Sequence, residues 1–306
     1  MNLALTEPPH ARAGVKFVRA KDELRAALAA ARTAGRSIGL VPTMGYLHEG
    51  HVSLLRAARA ECDLVVMSLF VNPTQFGPGE DLDRYPRDEQ RDGELAGEAG
   101  VDLVYAPPVE EVYPDGFATT VEVAGVTEVL CGDPRRRGPE HFRGVTTVVA
   151  KLFNSVQPDV AYFGQKDAQQ VAAIRRMVRD LDIPVRIEAL PIVREPDGLA
   201  MSSRNAYLSL AERQRATALS RALRTVERIA PEDTLEAGIE AGRRELEEAG
   251  IEPEYLEARD AENLEPVAEL DGRPVLIALA AKVGPARLID NVTIAGDGGR
   301  EERTDG

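Results

Sequence analysis

Two histidines stand three positions apart in the string Met44-Gly45-Tyr46-Leu47-His48-Glu49-Gly50-His51, and both are candidate donors to an anion. The string follows an apolar run, residues 38–41, that reads as a buried strand. It precedes an amphipathic stretch (Val52, Leu54, Leu55, Ala58) that reads as a helix. A glycine-bearing turn between strand and helix aims free backbone N–H groups and the positive end of a helix dipole at one spot, where phosphate binds well. Imidazoles there add donors that are charged or neutral near neutral pH. This combination predicts the handling of a nucleotide triphosphate. A solvated helix start or a satisfied core group is the competing reading of the pair. A metal site is the weaker one, because His-x-x-His lacks a third ligand at a helical repeat and the His-Glu-x-x-His pattern is absent.

Other strings carry chemistry of the same kind. In Phe163-Gly164-Gln165-Lys166-Asp167, Lys166 can meet a phosphate as a point charge, although Asp167 with Gln170 also reads as a helix cap pair. Met201-Ser202-Ser203-Arg204-Asn205 follows the turn Pro196-Asp197-Gly198, and its hydroxyls and guanidinium suit a phosphate clamp on a closing loop, or simply a solvated loop. Asn72-Pro73-Thr74-Gln75 sets two amides at a strand end, fit to orient a carboxylate or hydroxyl, or only to turn. Most of the acidic stretch Asp81, Asp83, Asp88, Glu89 and Asp92 should face water, while one or two of its members could hold a Mg²⁺ that travels with a triphosphate. Arg135-Arg136-Arg137 reads as solvated, and Cys62 as a small core residue.

These groups need elements to hold them. Residues 64–71, 101–105, 160–163 and 185–190 read as further strands. Residues 16–34, 145–153 and 168–181 have helical spacing. Alternating strands and helices predict a doubly wound parallel sheet of Rossmann-like α/β type. Ligands in such sheets sit beyond the carboxyl ends of the strands, which is where His48, His51, Asn72, Gln75, Lys166 and Asp167 all fall. Past residue 193 the character changes. The capping box Ser209-x-x-Glu212 opens a helix to about residue 229, and a second helix fits 234–249. Short strands at 255–258, 274–281 and 288–294, the last two joined by a turn at Gly284-Pro285, complete a smaller α+β domain. The expected division is 1–192, 193–296 and a disordered tail at 297–306, with a loose arm over the first fourteen or so residues.

A net charge of -14 over 306 residues argues against broad binding to nucleic acid or membrane surfaces, but leaves room for a basic pocket. The two cysteines, Cys62 and Cys131, make no disulfide framework and no zinc spacing. With no leader-like start and no apolar run of about 18 residues, the expected place is the cytoplasm.

Taken in order, several strings resemble the pantothenate synthetase (pantoate–β-alanine ligase) family: Pro42-Thr43-Met44-Gly45-x-Leu47-His48-Glu49-Gly50-His51, Val71-Asn72-Pro73-Thr74-Gln75-Phe76, Arg84-Tyr85-Pro86-Arg87, His141-Phe142-Arg143-Gly144-Val145, Gln157-Pro158-Asp159, Phe163 to Gln170 and Met201 to Asn205. The resemblance implies a nucleotidyltransferase-type Rossmann domain, a C-terminal lid and a homodimer. It implies that ATP, (R)-pantoate and β-alanine give pantothenate, AMP and pyrophosphate through a pantoyl adenylate, with Mg²⁺ accompanying ATP and no tightly bound organic cofactor. Catalytic positions fall on His48, His51, Lys166 and Arg204, with His51 as proton donor. ATP-binding positions fall on Met44, Gly45, Tyr46, Leu47, His48, Glu49, Gly50, His51, Gly164, Gln165, Lys166, Asp167, Val193, Met201, Ser202, Ser203 and Arg204. Pantoate-binding positions fall on Gln75 and Gln170, β-alanine binding on Gln75, and the Mg²⁺ carboxylate on Asp92. The chain departs from the family pattern in a lengthened segment 131–140, where Cys131 replaces a common glutamate and Arg137 is the choice for a functional arginine. It departs again at Gln165, and at Arg91, where some relatives carry an acid. A different nucleotidyltransferase, with no need of Gln75 and Gln170, and a non-catalytic nucleotide binder are the competing functions.

Overall fold

The computed structural model describes residues 15–295, so the expected N-terminal arm and C-terminal tail lie outside the described residues. The first part of the chain runs β1 (Lys16–Val18), α1 (Lys21–Thr33), β2 (Ile38–Thr43), α2 (Glu49–Glu61), β3 (Leu64–Leu69), α3 (Glu89–Glu98), β4 (Leu103–Tyr105), α4 (Val109–Val112), α5 (Pro139–Val156), β5 (Val160–Gly164), α6 (Ala168–Asp180) and β6 (Arg186–Leu190). The six strands form one parallel sheet in the order β1-β4-β3-β2-β5-β6. The continuous apolar runs are explained by burial on both faces. Leu40 and Val66 pack into one core with α1 and α5, while Val41, Val65 and Met67 pack into another with α2.

Strand order reverses between β2 and β5, and a crevice opens there beyond the strand ends. The Met44–His51 string leaves β2 and the Lys166 string leaves β5, so topology alone brings them side by side.

Residues 16–34 are not one helix. Lys16–Val18 pairs in parallel with Leu103–Tyr105, which takes Val18 fully out of water, and the helix starts only at Lys21. Most of the acidic stretch does face water, with Asp83, Asp88 and Glu89 exposed, but its end is helical. Asp88 accepts the backbone N–H of Arg91 as a cap, and α3 buries Asp92, Gly93 and Ala96. A Cβ at Gly93 would lie 2.8 Å from the Phe17 ring, so β1 and α3 meet through a glycine. Helix α5 is longer than its apolar signal and begins at Pro139, whose fixed φ suits the first helical position.

The rest is smaller and antiparallel: α7 (Leu210–Ile229), α8 (Leu235–Glu248), then β7 (Pro253–Asp260), β8 (Val275–Val283) and β9 (Ala286–Ile294) in the order β7-β8-β9. Ser209 and Glu212 make the expected reciprocal cap of α7. On the middle strand, Val275, Ile277, Leu279 and Ala281 pack under α7 and α8. The alternate residues Leu276, Ala278 and Ala280 face the core of the larger sheet. The α/β class with a smaller α+β part is therefore the observed architecture.

Candidate functional site

The turn after β2 is a rigid piece of backbone. Gly45 (φ 86°) and Tyr46 (φ 51°) both take left-handed conformations. The Tyr46 and Leu47 N–H groups donate to the two carboxylate oxygens of Asp92, each at 2.7 Å. A Cβ at position 45 would sit 2.8 Å from that same carboxylate. Arg91 closes the turn from outside, donating to the Leu47 carbonyl at 2.9 Å with its guanidinium over the Tyr46 ring. Asp92 is 1% exposed, with both oxygens engaged by the turn. Through these bonds Asp92 braces the backbone that presents the histidines. Among the described residues, no group of three or more His, Cys, Asp or Glu side chains could hold a metal ion.

His48 caps α2 and His51 completes the cap. The Gly50 N–H donates to His48 Nδ1 at 3.1 Å, and the His48 N–H donates to His51 Nδ1 at 3.3 Å. The two rings lie 4.0 Å apart. Each Nδ1 accepts, so each neutral ring carries its proton on Nε2. Burial, followed by the Lys166 cation, lowers the pKa of His48 to about 4. Burial, His48 and Lys166 hold His51 well below the ordinary imidazole range. Both rings are thus neutral N–H donors at neutral pH, not cations.

At the end of β3, buried Asn72 organises the next wall. Its Nδ2 donates to Gln75 Oε1 and to the Gly144 carbonyl, each at 3.1 Å, and its Oδ1 accepts from the Tyr113 hydroxyl at 2.8 Å. Gln75 in turn directs its amide N–H to the Met44 sulfur at 3.0 Å. Helix α5 reaches this turn only because Gly144 has no side chain, since a Cβ would lie 2.4 Å from the Thr74 carbonyl oxygen. His141 and the Gln75 carbonyl oxygen are 2.7 Å apart through Nδ1. Arg137 faces the other ring nitrogen at 3.1 Å. A guanidinium only donates, so Nε2 accepts and Nδ1–H donates to Gln75. Burial, then Arg137, lowers the His141 pKa to about 3.

From the third side come Lys166 and the loop before α7. Lys166 Nζ lies 3.5 Å from the Met201 carbonyl and 3.7 Å from Asp167. Ser203 Oγ lies 3.3 Å from the Tyr46 carbonyl. Arg204 is held bidentately by Asp81, both contacts 2.9 Å, over the Tyr85 ring.

One cavity collects most of the predicted residues: Met44, His48, Gly50, His51, Gln75, Gly164, Lys166, Asp167, Gln170, Val193, Met201, Ser202, Ser203 and Arg204 all line it. Gly45, Tyr46, Leu47, Glu49 and Gln165 do not. Leu47 is core, Glu49 pairs with Arg56 outside, and the Gln165 carbonyl accepts from Asn291 at 2.9 Å. Gly45 and Tyr46 shape the turn by backbone alone. Asp167 starts α6 without any side-chain cap bond, which overturns the cap-pair reading and leaves Asp167 and Gln170 facing the cavity.

That Asp81 and Tyr85 both hold Arg204 was not foreseen. Nothing in the acidic stretch marks Asp81, because its partner Arg204 lies 123 positions away. The arginine run is not uniformly solvated. Arg135 is, but Arg136 pairs with Glu257 at 2.7 Å and Arg137 with Glu80 at 2.5 Å. Cys131 lies 3.1 Å from the Tyr255 hydroxyl and 3.4 Å from Arg287.

A six-stranded parallel sheet with a glycine turn and a cavity at the strand-order reversal is the Rossmann-like architecture of nucleotide-binding enzymes. The pantoate-beta-alanine ligase family profile matches residues 16–293. The chain is 59% identical over 272 residues to the pantothenate synthetase of Moorella thermoacetica, spanning 87% of this chain and 94% of that one. It superposes on the crystal structure of pantothenate synthetase from Thermus thermophilus with a TM-score of 0.85 and 48% identity, over 92% of this chain and all (100%) of that one. The pantoate-beta-alanine ligase of Francisella tularensis, solved in complex with beta-gamma ATP and beta-alanine, gives a TM-score of 0.75 and 32% identity over 91% and 97% of the two chains. The chain belongs to the pantoate–beta-alanine ligase family, and its reaction is the ATP-dependent joining of pantoate to β-alanine.

Proposed function

We propose that the cavity works in two half-reactions, and that one observation carries this reading: His51, Lys166 and Arg204, from three separate segments, line the same space. In the first, a carboxylate oxygen of (R)-pantoate attacks the α-phosphorus of ATP. The bond to the β-phosphate breaks and pyrophosphate leaves. Negative charge grows on phosphate oxygens, where the His48 and His51 Nε2–H groups, Lys166 and Arg204 act electrostatically. His51 in this reading is a neutral hydrogen-bond donor to the reacting phosphate. Gln75 and Gln170 hold pantoate, with Gln75 oriented by Asn72 and Met44. The other ATP contacts are Met44, Gly50, Gly164, Asp167, Val193, Met201, Ser202 and Ser203.

In the second half-reaction the β-alanine amine attacks the pantoyl carbonyl carbon, the bond to AMP oxygen breaks, and the nitrogen loses a proton. The mixed anhydride has to be kept from water meanwhile. We assign that task to residues 193–296 acting as a lid over a body of residues 1–192, because the 201–204 loop both lines the cavity and leads into α7. Mg²⁺ would be held by phosphate oxygens and water, while both Asp92 oxygens accept from the turn. A homodimer in the cytoplasm completes the proposal. No described helix is long and apolar enough to cross a membrane.

The test is pyrophosphate exchange into ATP with and without pantoate, together with AMP release when each acid is omitted in turn. Exchange should require pantoate, and AMP release should require both acids. Exchange that ignores pantoate would favour another nucleotidyltransferase, and ADP as product would overturn the adenylate.

A further inference from the structure

A second cavity opens off the first. It shares Lys166, Asp167, Gln170, Ser202 and Arg204 with it, and extends outward between the 79–84 loop and the β8–β9 hairpin. Its wall on the hairpin carries an arrangement that stability alone disfavours. Lys282 and Arg287 are directly opposite one another in the antiparallel register, and like charges in that position repel. Both lie on the hairpin face shared by Ala280 and Ile289, which meets the core of the larger sheet. Glu254 neutralises Arg287, at 2.8 Å. Arg137, Arg204 and Lys166 likewise each have a carboxylate partner, in Glu80, Asp81 and Asp167. Lys282 has no ion pair or hydrogen bond among the described residues, and neither does the guanidinium of Arg84 on the facing loop. On a chain with a net charge of -14, two uncompensated cations at the outer end of a cavity leading from the phosphate-binding groups select an anion.

We infer that this second cavity receives pyrophosphate as it leaves, and that Lys282 and Arg84 are the residues that draw it from Lys166 and Arg204 toward solvent. The inference rests on the adenylate route proposed above. Displacement at the α-phosphorus frees a trianionic or tetra-anionic group on the side of Lys166 and Arg204. The shared wall gives it a path outward past Lys166 and Arg204 into the second cavity.

The experiment compares Lys282→Met, Arg84→Met and Lys282→Arg with wild type in the full reaction, adding inorganic pyrophosphate as product inhibitor. Each Met variant should weaken inhibition by pyrophosphate about tenfold, the usual worth of one charge-assisted contact. The KM values for ATP and β-alanine should stay unchanged, and Lys282→Arg should behave as wild type. Unchanged pyrophosphate inhibition with normal melting temperature would overturn the inference. So would ATP KM rising in step with the inhibition constant, which would make Lys282 a ligand of bound ATP, or a rise confined to β-alanine KM, which would make the cavity the amine's route in. A wild type with no pantoate-dependent exchange would remove the adenylate reading itself, and this inference with it.

Discussion

His48 and His51 cap one another: the backbone N–H of His48 donates to the ring of His51, while the ring of His48 accepts from Gly50 within the same first turn of α2. This reciprocal cap does two jobs. It satisfies donors that a helix start would otherwise leave open, and it orients both Nε2–H groups away from the backbone toward the cavity. Burial then keeps both rings neutral.

His51→Ala should slow pantoate-dependent pyrophosphate exchange by about 10²–10⁴-fold, the range for one positioned acid or electrostatic donor. Because neither ring titrates near neutrality, the rate should show no break attributable to them between about pH 6 and 8. Turnover near the wild-type value would take His51 out of the chemistry.

Acid should destabilise the fold through the same histidines. Unfolded imidazoles ionise near pH 6.5, whereas His48 and His141 ionise at about 4 and about 3 when folded. In that window the unfolded chain binds more protons, so stability is full above it and is lost as pH falls through it. Burial raises Asp92 and Asp290, which act in the opposite direction, so the comparison is made between variants. The melting temperature should fall from about pH 7 to about 4.5, and His141→Gln should flatten that fall. Equal slopes for variant and wild type would mean His141 is not buried in its neutral form.

Asp92→Ala leaves the Tyr46 and Leu47 N–H groups without their acceptors inside the turn. The expected loss is about 2–4 kcal/mol in urea unfolding, with activity falling because the histidine turn relaxes. The concentration of Mg²⁺ needed for half-maximal rate should not move. A large shift in Mg²⁺ requirement at unchanged stability would make Asp92 a metal ligand.

Gln75→Ala should raise the KM for pantoate more than that for ATP, because Gln75 is held by Asn72 at the end of β3 rather than in the loop of residues 201–204. Gly144→Ala should do the same from a distance, since a Cβ there meets the Thr74 carbonyl at 2.4 Å and displaces the turn carrying Gln75. It should also lower stability by about 1–3 kcal/mol, the usual effect of overpacking. If ATP KM rises first in either variant, the acid pocket lies elsewhere.

What the chain makes legible on its own is local. Buried runs such as 64–69, the Ser209–Glu212 cap and the glycine turn before His48 are each written in neighbouring residues, so strands, helices and the phosphate turn can be read directly. The family strings add the site because they lie at strand ends. Only the folded molecule decides which of those residues face the ligand. It turns Leu47 and Asp92 inward as supports, joins Asp81 to Arg204, and makes β1 a strand through a partner far along the chain. The reason is physical: pattern and capping energies act over a few residues. Burial, ion pairing and parallel strand pairing depend on segments that meet only after the sheet has formed.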